Sequence, residues 1–207
     1  MGRLIDKWEV TAKELAGRAL QDEKLLADLL NGILSKKDET RYTSFKALMF
    51  IAEEHPNLLY PHWDHFARLI DSESAHSKYI ASYLLASLTA TDTDGKFEKM
   101  FDKYYTMLDD RSVIPAAHVA RNSGRIAKAK PALEPKITDK LLNTDKTHHS
   151  PGHKELVKGE AITALSEYFD RAQDRKGILE FVKRELKSKS PKTRKNAKEF
   201  LEKWAES

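Results

Sequence analysis

Apolar and small residues recur along this chain at helical spacing, and one arrangement of them recurs five times. Residues 41–51, RYTSFKALMFI, define the frame: a basic or small residue at zero, then apolar or small residues at plus three, six, seven and ten. The frame restarts at Lys78, Ala116, Lys158 and Arg194, so successive starts lie 36 to 42 residues apart. Plus three holds Ser44, Ala81, Val119, Ala161 and Ala197, and plus six holds Ala47, Leu84, Asn122, Ala164 and Phe200. Plus seven holds Leu48, Leu85, Ser123, Leu165 and Leu201, and plus ten holds Ile51, Leu88, Ile126, Tyr168 and Trp204. An amphipathic stretch intervenes between restarts. A period of this length is that of two-helix repeats, whose apolar stripes are covered only when successive hairpins stack.

Local signals place the elements. Helices are predicted over residues 4–20, 23–34, 39–54, 58–70, 76–89, 96–108, 113–128, 135–142, 153–171, 174–186 and from 191 onward. Asp22 reads as an N-cap or first-turn acid, and Ser190 as an N-cap with Pro191 at the first helical position, where a missing N–H costs little. His55-Pro56 ends one helix, because proline disfavours helical geometry in the residue before it. Asn57 caps the next. The longest break is 143–152, NTDKTHHSPG. No stretch sustains the period-two alternation of a strand. The expected fold is all-α: an α-solenoid of about five helical hairpins plus an N-terminal helix at 1–22, one domain over 1–207.

The frame resembles HEAT repeats, whose second helix carries an Asp, then Val-Arg, then a small-rich run ending in Leu-Gly and Ile. The residues that match are Asp38 with Arg41, Ala47-Leu48 and Ile51; Ser123-Gly124 with Ile126; and Arg194 with Ala197 and Leu201. The resemblance covers residues 23–207. The usual arginine is Lys78, Ala116 and Lys158 in the middle repeats, and only the third repeat keeps the glycine. The resemblance implies a non-catalytic scaffold that binds a protein or peptide along the concave face formed by its second helices.

If plus three, six, seven and ten face the core, plus five and plus nine lie on the exposed side. That row reads Lys46 and Phe50, Tyr83 and Ser87, Arg121 and Arg125, Thr163 and Glu167, Glu199 and Lys203. Its middle is cationic and aromatic, and Lys46, Phe50, Tyr83, Arg121 and Arg125 are the expected partner-binding residues, since Arg and aromatic side chains anchor interfaces. Tyr42 and Tyr79, at plus one, rim it. A frame rotated by one position instead puts Phe50 and Tyr83 in the core.

Charge adds a second reading. Residues 1–110 hold 14 basic and 19 acidic residues, and 111–207 hold 22 and 13. The basic half, with Lys192, Lys195 and Lys198 in a cationic C-terminal helix, suits nucleic acid, though a charged capping helix is the simpler reading. DNA glycosylases of the alkylation-repair type share such a scaffold, but need a carboxylate and aromatics in the groove. Trp63-Asp64 falls on a first helix, Trp8 and Trp204 at opposite ends.

The remaining chemistry is sparse. The chain has no Cys, which excludes disulfides and thiolate sites. No phosphate loop, GxSxG elbow or HExxH helix occurs. His62 and His65 lack an evident third metal ligand. His148 and His149 lie in the longest break and His153 directly after it, where ordinary turn chemistry is a simpler reading than a metal site. Glu53-Glu54 and Asp109-Asp110 sit at helix ends as surface charge. No metal or cofactor is expected. MGRLIDKWEV lacks the apolar run of a signal peptide and no window is long and apolar enough to span a membrane, so a soluble cytoplasmic protein is the expectation.

Overall fold

The computed structural model describes the backbone of residues 2–204 and the side chains of residues 11–204, so Leu4, Ile5 and Trp8 lie outside what is said of side chains here. Among the described residues there are twelve α-helices and no strand. They are α1 (Gly2–Ala19), α2 (Glu23–Gly32), α3 (Asp38–Glu54), α4 (Pro56–Leu59), α5 (Trp63–Arg68) and α6 (Ala75–Leu88). After these come α7 (Lys96–Tyr105), α8 (Val113–Ala129), α9 (Glu134–Leu142), α10 (Pro151–Leu165), α11 (Arg175–Glu185) and α12 (Pro191–Trp204). The chain divides into two compact units, Met1–Asp92 and Thr93–Ser207. The fold is the all-α, HEAT/armadillo-like solenoid type, built from hairpins α2–α3 and α4/α5–α6 in the first unit and α7–α8, α9–α10 and α11–α12 in the second.

Side-chain caps start several of these helices. The Asp22 carboxylate accepts the Leu25 N–H at 2.9 Å, Asp174 accepts that of Gly177 at 2.9 Å, and Ser190 that of Thr193 at 3.3 Å. Each satisfies an orphan donor of a first turn. Ser74 and Ser112 cap α6 and α8 in the same way.

Three helix expectations change. The helix read over 58–70 starts at Pro56 and is cut by a 3-10 turn, Tyr60–His62, because Pro61 has no N–H to donate and its ring crowds the preceding turn. The one read over 153–171 begins at Pro151 and ends at Leu165. Beyond it Tyr168 leaves helical geometry (φ −137°) and its hydroxyl lies 2.9 Å from that of Thr138. The one read over 96–108 ends at Tyr105, in a 3-10 turn Thr106–Asp109.

The core follows the frame. All residues at plus three, six, seven and ten are buried except Leu201 and Trp204 of α12, which are half-buried. Burying one such Leu or Ile side chain contributes about 1.5–3 kcal/mol. In the first unit α3 packs along α1, α2 and α6, and its contact with α1 is more extensive than that with α2. In the second unit α8 packs along α10 and α10 along α12. Helix α8 approaches α10 at Gly124, where a Cβ would stand 2.8 Å from the Ala164 carbonyl oxygen. Ser123 replaces the usual leucine because it accepts the buried Tyr105 hydroxyl at 3.0 Å while donating to the Val119 carbonyl at 2.8 Å.

The basic residue at frame zero ties its helix to the turn before it. Arg41 donates to the Ser35 carbonyl at 2.9 Å and pairs with Asp38; Arg194 donates to the Ser188 carbonyl at 2.6 Å. Both reach back six residues. Buried Lys158 contacts Asp145 at 2.9 Å, Glu155 at 3.0 Å and Glu185 at 3.1 Å. Burial works against its ammonium, but the hydrogen bonds to these carboxylates outweigh it and raise its pKa. Burial pushes Glu185 up, whereas Glu155 is lowered: burial opposes its charge, but bonds from Ser188 and Lys158 prevail.

Candidate binding faces on the second helices

The frame that buries one stripe of each second helix presents another. In the first unit, Lys46 and Phe50 of α3 and Tyr83 of α6 are half-buried, between core and solvent. The Lys46 ammonium lies 5.5 Å from the Tyr42 ring centroid, within cation–π range. Tyr83 meets Phe45 edge-on at 5.9 Å and Tyr79 at 5.1 Å, and Phe45 meets Tyr79 edge-on at 5.2 Å. Tyr83 is therefore one wall of an aromatic cluster that also includes a buried residue, Phe45. Burial, with Tyr83 and Tyr42 beside it, pushes the Tyr79 phenol up to about 12, so it remains a neutral hydroxyl at physiological pH.

Phe50 stands apart from that cluster. It lines a hollow of about 420 Å³ toward α1, with Ala16, Gly17, Leu20 and His55. A second hollow, about 390 Å³, opens between the N-terminal halves of α3 and α6 and is lined by Asp38, Arg41, Tyr42, Phe45, His76 and Tyr79. Phe45, His76 and Arg41 were absent from the binding set expected of the sequence. The signal was the coincidence of aromatics at plus one and plus four of one repeat with plus one of the next.

In the second unit, Arg121 is half-buried and Arg125 exposed on α8. Lys128 pairs with Glu167, in the turn after α10, at 3.0 Å. Thr163 bonds the Gly159 carbonyl at 3.1 Å and accepts from Asn196 at 3.0 Å. His118 is half-buried, and its pKa is lowered by burial, with Glu160 and Lys192 acting in opposite senses.

The cations of α12 are largely engaged. Lys192 contacts Glu160 at 2.6 Å and Lys195 contacts Glu199 at 3.5 Å, while Lys198 is exposed. Lys203 lies 4.6 Å from the Trp204 ring, whose N–H donates to Ser166 at 3.2 Å.

The histidines serve as pins. His65 is held at its Nε2, 3.1 Å from the Leu30 carbonyl, and burial lowers its pKa. His148 bonds Asp109 through its N–H at 2.7 Å and its Nδ1 at 2.6 Å, and buried His149 sits 3.1 Å from the Leu108 carbonyl. The longest break is thereby fastened to the turn after α7. The backbone bond from His148 is the chief cause that holds Asp109 below the ordinary carboxylate range. Among the described residues no three His, Asp or Glu side chains stand together as metal ligands. Trp63 is buried, and Asp64 is exposed on α5. No described helix is long and apolar enough to cross a membrane.

No family model matches the sequence, and no curated protein matches it. Solved structures do resemble the fold. A designed armadillo repeat protein aligns over 94% of this chain and 92% of its own, at 16% identity and a TM-score of 0.49. An engineered protein solved as a structural-genomics target aligns over 94% of this chain and 88% of its own, at 18% identity and a TM-score of 0.53. The latter likeness is one of fold alone, and it spans nearly the whole helical-repeat chain.

Proposed function

We propose that this protein is a non-catalytic scaffold that binds a protein or peptide through the exposed faces of its second helices. The observation that carries the reading is the division of each second helix. The frame's core positions are buried, while plus five and plus nine remain half-buried or exposed and hold Lys46, Phe50, Tyr83, Arg121 and Arg125. Rigid aromatics and guanidinium groups are the side chains that concentrate binding energy at interfaces. Each unit offers its own patch: aromatic with one lysine on α3 and α6, cationic on α8. The absence of catalysis is part of the proposal. Its support is that half-buried Glu155 and buried Glu185 are bound to Lys158, and that His65 and His149 bond backbone carbonyls.

The test is affinity capture from the source cells, followed by titration of the captured partner. Two variants separate the readings: Arg121→Ala with Arg125→Ala, and Lys192→Ala, Lys195→Ala with Lys198→Ala. A protein or peptide partner should lose at least about tenfold in affinity with the first variant and keep its affinity with the second. A nucleic acid should lose affinity in both and show a steep salt slope. Unchanged affinity in the first variant moves the working face elsewhere.

A further inference from the structure

We propose that the hollow between α3 and α6 docks a protein segment presenting an aromatic or large aliphatic side chain beside a carboxylate. This rests on the scaffold reading and specifies the partner chemistry of the first unit's face.

Shape comes first. The hollow measures about 390 Å³, and its walls are the rings of Tyr42, Phe45 and Tyr79. Mostly aromatic walls with a few placed polar groups are the usual make-up of a binding pocket. The walls are set by packing, since Phe45 is buried and locked edge-on to both Tyr79 and Tyr83. An incoming ring therefore meets a surface whose ordering cost folding has already met.

Charge then decides between occupants. Aromatic cages commonly take cations. Here the Arg41 guanidinium lines the hollow, and the Lys46 ammonium already lies over Tyr42. The acid present, Asp38, is paired with Arg41. His76 stands in the first turn of α6, which carries no acidic residue, and a helix N-terminus favours an anion at the mouth. A cationic side chain would face Arg41. A carboxylate would meet a guanidinium held in place by the Ser35 carbonyl and Asp38, in a hollow that Tyr79 also lines.

The test uses the full chain, isotope-labelled for amide spectra, and three blocked peptides: Gly-Asp-Asp-Trp-Gly, Gly-Asp-Asp-Ala-Gly and Gly-Lys-Lys-Trp-Gly. The acidic tryptophan peptide should shift the amides around Tyr42, Phe45 and Tyr79 saturably, and each control should bind at least about tenfold more weakly. Tyr42→Ala should remove the saturable shifts while the remaining spectrum stays dispersed. His76→Glu, on an exposed first-turn position where an acid favours the helix, should weaken the acidic peptide without perturbing the fold. No saturable binding, equal binding of the alanine control, or tighter binding of the lysine peptide would each overturn the proposal. Shifts confined to Arg121 and Arg125 would overturn it too, yet leave the scaffold reading standing. That reading fails separately, in the titrations of the captured partner.

Discussion

Arg41 and Arg194 stand 153 residues apart and make the same bond, to the carbonyl six residues earlier. In these two repeats the basic residue at frame zero is thus a clamp on its own hairpin. Arg194→Ala should destabilise the protein by about 1–3 kcal/mol, the range for losing a hydrogen bond to a charged group, read by urea unfolding. Two glycines test the packing in opposite senses. At Gly17, exposed within α1, an added Cβ meets nothing within 4 Å. Gly17→Ala should therefore stabilise by about 0.5–1 kcal/mol, the cost of glycine in a helix. At Gly124 the same methyl would stand 2.8 Å from a backbone oxygen of α10. Gly124→Ala should destabilise by about 1–3 kcal/mol, the range for overpacking. Thermal melts of the two variants should move in opposite directions.

Between elements, the Lys158 cluster joins α10 to α11 and to the turn before α10. Removing its cation strands two carboxylates with little access to water. Lys158→Met should cost about 3 kcal/mol at neutral pH, the lower end for breaking a buried pair. The sign of the pH dependence follows from the shifts. The raised Lys158 pKa keeps its contribution fully present below the ordinary lysine range and loses it only in strong alkali. Glu155 is lowered, so its contribution is present above the ordinary glutamate pKa and lost as pH falls through the folded value. Glu185 is raised by burial, so its charging costs stability as pH rises, and acid relieves that cost. Across the acid range the lysine stays charged and only the carboxylates titrate. The penalty of Lys158→Met should therefore shrink below about pH 4, where the glutamates become neutral. Urea midpoints of both proteins at pH 7 and pH 3.5 would show whether the gap closes.

For the whole molecule, the uneven charge is less available than its count suggests. Thr93–Ser207 carries 25 basic and 18 acidic residues. Lys128, Lys130, Lys158, Lys192 and Lys195 are nevertheless each within 3.5 Å of a carboxylate. Cations already paired release fewer counterions on meeting phosphate. Replacing Lys192, Lys195 and Lys198 by alanine should change the salt slope of binding to duplex DNA by less than about one unit, because a free phosphate contact contributes about 0.9. A drop near three units in a fluorescence titration would restore the nucleic-acid reading.

The sequence by itself determined the repeat. Residues that must be buried on a helix recur every 3.6 positions, and those that must meet a neighbouring repeat recur with its period. The frame drawn from 41–51 therefore located the buried side of all five second helices. Two caps were legible because they are local: Asp22 and Ser190 bond donors within three residues, whereas Asn57, read as a cap, lies inside α4, which starts at Pro56 after His55. Tertiary structure decided what depends on distant partners. Ser123 stands at a leucine position because Tyr105 reaches it, and Gly124 is small because Ala164 comes close. The helix after His153 stops early, where Tyr168 turns inward to Thr138. Lys128, Lys130 and Lys192 look like free lysines in sequence, since their acids lie more than thirty residues away. The aromatic hollow belongs to the same class. Tyr42, Phe45 and Tyr79 sit on two helices separated by 20 residues, and only the stacking of α3 on α6 makes them one surface.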